Sequence, residues 1–305
     1  MYKQLNQSLL LGLFLSLISF SCSESPKPAT AITISDTDFA ATQKPNTSVK
    51  YIDFEKEKFS TAPTEGENQT WDFSAYKSSS ATPRTINYLT PRANTSFKTA
   101  TYGLKYVSRA LGLNLNITNH YEISSTGFYN LGGQIEQTSS SLGNGIVLST
   151  VDNENAWTPK VLLWKFPMVY KDSYNSESSI KESFRLTAPP FGLTNAPTDR
   201  INTSQQQAQI VGWGKLILPT DGKVVTSEAL LFKLTTTSTF TYLLNNNPAP
   251  AVLLGGLGLT QGEKVTRVTY YFFSKNSGDI AVITFDTDGT GKLKLPAVSS
   301  YYLTK

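Results

Sequence analysis

The chain has 305 residues, a formal net charge of +4 and only 16% charged residues. Its basic residues are scattered, with no block of five or more, so the concentrated cationic stripe of a nucleic-acid binder is missing. A single cysteine and a single histidine exclude a disulfide framework and argue against zinc or any other nitrogen- or sulfur-ligated metal, and no cofactor is expected.

Residues 1–21 read MYKQLNQSLLLGLFLSLISFS, with Lys3 ahead of an apolar run from Leu9 to Phe20. That run is short for a bilayer core of roughly 30 Å. A charged start, an apolar middle and small residues before a cut site describe a secretory signal peptide rather than a buried helix. Cys22 then follows Ser19-Phe20-Ser21. This resembles the bacterial lipoprotein signal, in which the cysteine is acylated and becomes the first residue of the mature chain. Ser21 fits the small residue before the cysteine, and Ser19 departs from the usual leucine. The resemblance implies lipid attachment at Cys22 and a membrane partner reached through that lipid. Ser23 stands where an aspartate would resemble an inner-membrane retention signal, so the outer membrane is expected, facing either the periplasm or the surface.

Residues 23–48 carry Pro26, Pro28, Pro45 and many small polar residues. They read as a tether with one short strand at Ala31–Ser35. The expected organisation is a signal peptide over 1–21, an acylated cysteine and tether over 22–48, and a β-rich domain over 49–305. That domain is either single or divided into two subdomains near 151–160.

From Val49 onward the residues alternate as strands do. The chain has 16 Phe, 15 Tyr and 4 Trp beside abundant Thr, a composition that favours strands over helices. Gly66–Ser74, Thr85–Leu89 and Ser96–Tyr102 read as short strands. Leu104–Leu113 reads as one short helix bracketed by Gly103 and Gly112. His120–Gln137 holds two strands flanking Gly127, with a turn or bulge at Gly132-Gly133. Gly145–Thr150 and Val161–Tyr170 follow, the latter restrained by Pro167 to an edge or a bulge. Thr187–Ser204, rich in Pro, Thr and Asn, reads as a long loop. Gln206–Leu218 and Val224–Leu244 are long strands joined at Pro219-Thr220-Asp221-Gly222. Val265–Ser274, Asp279–Asp286 and Gly291–Leu295 complete a meander of antiparallel hairpins. No helices alternate with these strands, so the expected fold is all-β: an antiparallel sandwich or a curved open barrel.

Several stretches resemble one uncharacterised family of secreted and lipid-anchored Bacteroidota proteins. They are GENQTWDFS (Gly66–Ser74), HYEISSTGFYNLGG from His120, FPMVYKDSY (Phe166–Tyr174) and IVGWGKLILPTDGKVVTSEALLFKL (Ile210–Leu234), where the family often has Arg in place of Lys233. YYFFSKNSGDIAVITF extends the likeness toward the C-terminus. The family carries no assigned activity, so the resemblance implies no catalytic residue.

Candidate chemistry is sparse. His120 has Glu122 on its strand face but no identifiable nucleophile. Asp286, Asp288 and Thr290 mimic the start of a calcium loop, but Ala297 occupies the place of the closing glutamate, so a hairpin turn is expected. The glycine-rich run Gly255–Lys264 lacks the Gly-Lys-Ser/Thr of a phosphate loop. Three carboxylate pairs, Asp53/Glu55, Glu65/Glu67 and Asp152/Glu154, could serve a glycan hydrolase but read as solvated surface. Among Trp71, Trp157, Trp164 and Trp213, Trp157 in the polar loop NENAWTPK is the candidate for an exposed ring that stacks on a ligand. The expectation is an anchored envelope protein with a binding or structural role, its ligand a glycan or a protein. The alternatives are a carrier of an apolar ligand in a barrel cavity and a carboxylate-dependent glycan hydrolase.

Overall fold

The computed structural model describes residues 30–76, 84–91, 95–110, 113–151, 153–220, 223–275 and 277–304. The signal stretch, Cys22, Asp152 and the Asp221-Gly222 turn lie outside them. Ala31–Lys305 forms one compact unit.

In chain order the strands are β1 (Thr47–Asp53), β2 (Gly66–Asp72), β3 (Arg84–Leu89), β4 (Tyr102–Ala110), β5 (Leu113–Ser124), β6 (Gly127–Ile135), β7 (Ser139–Gly143) and β8 (Ile146–Thr150). They continue as β9 (Asn153–Lys165), β10 (Ser173–Ala188), β11 (Leu193–Thr220), β12 (Lys223–Leu244), β13 (Asn247–Pro248), β14 (Glu263–Ser274), β15 (Gly278–Asp286) and β16 (Ser299–Thr304). Two short helices, α1 (Asp36–Ala40) and α2 (Ala251–Gly256), interrupt them.

Pairing runs from β11 through β12, β14, β15, β16, β1, β3, β4, β5, β6, β9 and β10, and β10 pairs back onto β11. This closes a 12-strand antiparallel barrel. The β7–β8 hairpin prolongs the wall beside β10, β2 lies parallel to β11, and β13 pairs with the end of β12. Of the two architectures expected, the barrel is the one formed, and it closes. The hairpin meander of the last third is present as β11, β12, β14, β15 and β16.

Register across β10, β11 and β12 shows how the interior is graded. Rows facing the lumen run Tyr174, Ala208, Leu234; then Ser176, Gln206, Thr236; then Ser178, Ser204, Ser238; then Ile180, Asn202, Phe240; then Glu182, Arg200, Tyr242; then Phe184, Thr198, Leu244. The alternate positions, such as Glu177, Gln205, Gln207 and Gln209, are exposed. An outward polar wall is the reverse of a membrane-spanning barrel, whose lipid-facing residues are apolar.

Two apolar clusters flank the sheet. Inside the ring, Phe39 of α1 is buried against Phe128, Trp164, Phe166 and Phe273, with ring centroids 5.0–6.4 Å apart. Outside it, Phe54, Phe59, Trp71 and Phe73 cover Leu231, Phe272, Ile283 and Phe285. β14 is therefore buried on both faces at Tyr270–Phe273, which explains its unbroken aromatic run.

Several expectations are corrected. Part of the expected tether is built into the fold: Ile34 and Phe39 are fully buried, and α1 opens with a capping box between Ser35 and Asp38. The Ala31–Ser35 strand is reduced to one bridge, Ile34 to Met168. Leu104–Leu113 is not a helix: Tyr102–Ala110 is β4, paired with β5 along its whole length. The expected Thr187–Ser204 loop is mostly strand. Pro189–Phe191 and left-handed Gly192 turn the chain, and Pro197 lies just before the β12 ladder that begins at Thr198, its carbonyl accepting from Asn245 N. β9 ends before Pro167, Ser96–Tyr102 is mostly turn, and the strand expected at Gly291–Leu295 is a single bridge at Leu293, its place in the meander taken by β16.

Candidate functional site

The rows of β10–β12 from Ile180, Asn202 and Phe240 onward contribute to the walls of two cavities in the barrel. The first holds about 260 Å³. Leu148 of β8, Phe184 and Leu186 of β10, Tyr242 of β12 and Leu253, Leu254 and Leu257 in and after α2 line it. Pro250 stands at the N-cap of α2, whose Leu253 and Leu254 are buried against the barrel end while Val252 faces solvent. The charged residues on this wall are already partnered. Asp199 accepts from Ser183 Oγ at 2.7 Å and lies 3.4 Å from Lys181 Nζ. Burial lifts the Tyr242 phenol above its ordinary range, with the Arg200 charge pulling the other way, so the ring stays neutral.

The second cavity holds about 200 Å³. Its wall comes from six neighbouring strands, β4, β5, β6, β9, β10 and β11, through Tyr106, Asn119, Asn130, Asn155, Trp157, Glu182 and Asn202 among others. Trp157 thus stands on strand β9 and faces this chamber; it is not in a loop. A bulge shapes the wall. Gly132 has φ +128°, and a Cβ there would lie 2.1 Å from the Asn155 carbonyl oxygen. At Gly133 a Cβ would meet Asn119 Oδ1 at 2.3 Å, so the missing side chain makes room for that carboxamide. Asn119 Nδ2 donates to Tyr106 Oη at 2.9 Å, fixing both.

Glu182, on the second cavity's wall, and Arg200, on the first's, are bonded to each other. Arg200 Nε and Nη2 reach Glu182 Oε2 at 2.6 and 2.5 Å, and the two side chains are only 16% and 12% exposed. The guanidinium also lies 5.6 Å from the Phe240 ring centroid. A charge-assisted, two-nitrogen contact of this kind holds orientation as well as energy.

The other residues singled out by sequence lie elsewhere. His120 is buried and stacked on Phe97, with centroids 4.7 Å apart. Glu122 is held by Lys160 at 2.6 Å. Glu65 pairs with Lys233 at 2.8 Å, Glu67 with Lys171 at 3.1 Å, and Glu154 accepts from Ser96 N and Oγ at 2.9 and 2.6 Å. The Thr290 hydroxyl, then the Thr290 and Lys292 amides, hold the Asp288 carboxyl below the usual carboxylate range, which closes that loop as a turn. Asp286 pairs with Arg267 at 2.9 Å. Trp71 donates to the Thr64 carbonyl at 2.9 Å and belongs to the outer cluster, while Trp164 is packed in the inner one. Sequence reading missed Asn202, Glu182 and Arg200; the signal available was the period-two pattern of β10, in which Ile180, Glu182, Phe184 and Leu186 share a face.

No protein-family model matches the chain, and no match was found among curated proteins or solved structures.

The buried ion pair generates a stability prediction. Glu182→Gln leaves Arg200 charged without its partner and is expected to cost about 3 kcal/mol, read as a lower denaturant midpoint. Replacing both, as Glu182→Leu with Arg200→Met, is expected to recover most of that loss. Equal midpoints for wild type and Glu182→Gln would contradict a buried pair.

Proposed function

We propose that this protein is an envelope-anchored carrier of an apolar ligand, held in the cavity beneath α2. The observation that supports it is the cavity itself: about 260 Å³ lined largely by aliphatic and aromatic side chains, with its two charges, Asp199 and Arg200, paired with Lys181 and Glu182. Ligand sites are characteristically concave and mostly apolar, with few fixed polar groups. An apolar molecule gains from leaving water there at roughly 25 cal/mol per Å² of its buried apolar surface. The hydrolase reading finds less support, because Glu65, Glu67 and Glu154 are engaged by Lys233, Lys171 and Ser96.

The anchor belongs to the same proposal. Acylation at Cys22 would hold the barrel at the outer membrane, and it accords with the resemblance to lipid-anchored Bacteroidota proteins. A metabolic fatty-acid probe is expected to label the wild-type protein and not Cys22→Ala; equal labelling of both removes the anchor.

The carrier reading is tested with the neutral fluorophore N-phenyl-1-naphthylamine. Saturable binding at one site is expected, with a dissociation constant on the order of 1–10 μM. Leu148→Trp and Leu253→Trp fill the cavity and are expected to weaken binding tenfold or more while leaving the circular dichroism spectrum unchanged. Absence of saturable binding, or binding indifferent to both substitutions, would refute the carrier.

A further inference from the structure

We infer that the polar chamber is a second, separate binding site, and that it takes a neutral saccharide ring. Its chemistry differs from that of the cavity beneath α2. Trp157 and Tyr106 supply aromatic rings, and Asn119, Asn130, Asn155 and Asn202 supply carboxamides. A carboxamide carries both donors and acceptors, as a sugar hydroxyl does. Asn119 Nδ2 already donates to Tyr106 Oη and Asn130 Oδ1 already accepts from Gly132 N, so a ligand would meet the remaining atoms of these groups together with Asn202 Oδ1. The aromatic rings provide flat apolar faces for the C–H side of a pyranose, the side from which hydroxyls are absent.

Charge narrows the ligand further. Glu182 is the carboxylate on this wall, and Arg200 already neutralises it at 2.5–2.6 Å. A charged ligand would have to compete with that pair, whereas a neutral polyol would not. The Oδ1 atom of Asn202 is buried and has no hydrogen-bond partner among the described residues. A buried acceptor left unmade is costly, and its cost is relieved by a donor from outside the protein. The chamber's 200 Å³ suits one ring rather than a long chain.

Access is also in place. β9 and β10 are paired at a single position, Thr158 to Ser179. Asn155 and Trp157 lie on one side of that seam, Ile180 and Glu182 on the other, and all of them line the chamber. Among the described residues this is the ring seam with the fewest paired positions, and it runs beside the proposed site.

Saturation-transfer NMR with glucose, galactose, mannose, N-acetylglucosamine, maltose and cellobiose tests the inference on the intact chain. At least one is expected to bind saturably with a millimolar dissociation constant and to shift the Trp157 indole N–H resonance of the wild-type protein. Trp157→Ala and Asn202→Leu are expected to weaken that binding about tenfold each. Leu148→Trp, which fills only the cavity beneath α2, is expected to leave it unchanged, so this inference and the carrier reading fail separately. No binding by any of the six, an unmoved Trp157 resonance at saturation, or full affinity in both chamber variants would overturn it.

Discussion

Closure of the ring is the constraint on which the rest of the structure depends. Eight strands make a barrel just narrow enough for inward side chains to fill it, and sixteen or more leave a channel. The twelve strands of this barrel fall between. Their inward residues cannot pack the whole lumen, so something else must fill it or it must stay partly open. At one end α1 does the filling, with Phe39 set among Phe128, Trp164 and Phe273. At the other end α2 covers the opening without filling it, and the apolar cavity lies beneath. The polar chamber occupies the arc from β4 to β11.

The two compartments are kept distinct by chemistry within single strands. Along β10 the inward residues run Ser176, Ser178, Ile180, Glu182, Phe184 and Leu186, and β11 matches them with Gln206, Ser204, Asn202, Arg200, Thr198 and Ala196. The Glu182–Arg200 bond stands at the change from polar to apolar. A buried ion pair is weak evidence for stability, because removing two charges from water offsets much of their attraction. Its consequence here is positional: it presents the guanidinium to one cavity and the carboxylate to the other, each already neutralised.

Much of the fold was legible in the sequence, and the site was mostly not. Aromatic and threonine content, together with the turn residues between β14 and β15, point to an all-β meander without further help. Thr187–Ser204 misleads because its prolines and asparagines resemble a loop, whereas Pro189, Pro190 and Gly192 serve one turn and Thr198–Ser204 pair with strands on both sides. Residues 31–45 mislead for a similar reason, since two prolines upstream conceal a capping box and a buried phenylalanine. Trp157 could be picked out by type, but Asn202 and Glu182 could not. A serine, asparagine or glutamate at an inward position of a strand has the same period as one facing solvent, and only the register of β9, β10 and β11 brings these residues to one wall.

Among the described residues the β9–β10 seam has the fewest paired positions of the ring, and a cross-link there tests closure most directly. In a chain carrying Cys22→Ser, the pair Thr158→Cys and Ser179→Cys replaces residues that face each other as strand partners. Cross-strand partners stand about 4.5–5.5 Å apart at Cα, within the range a disulfide spans. A closed barrel predicts near-complete disulfide formation under mild oxidation of the folded protein, detected as loss of free thiol and protection from thiol alkylation. Free thiols persisting in the folded, oxidised protein would contradict closure, and with it the enclosed compartments on which both binding sites rest.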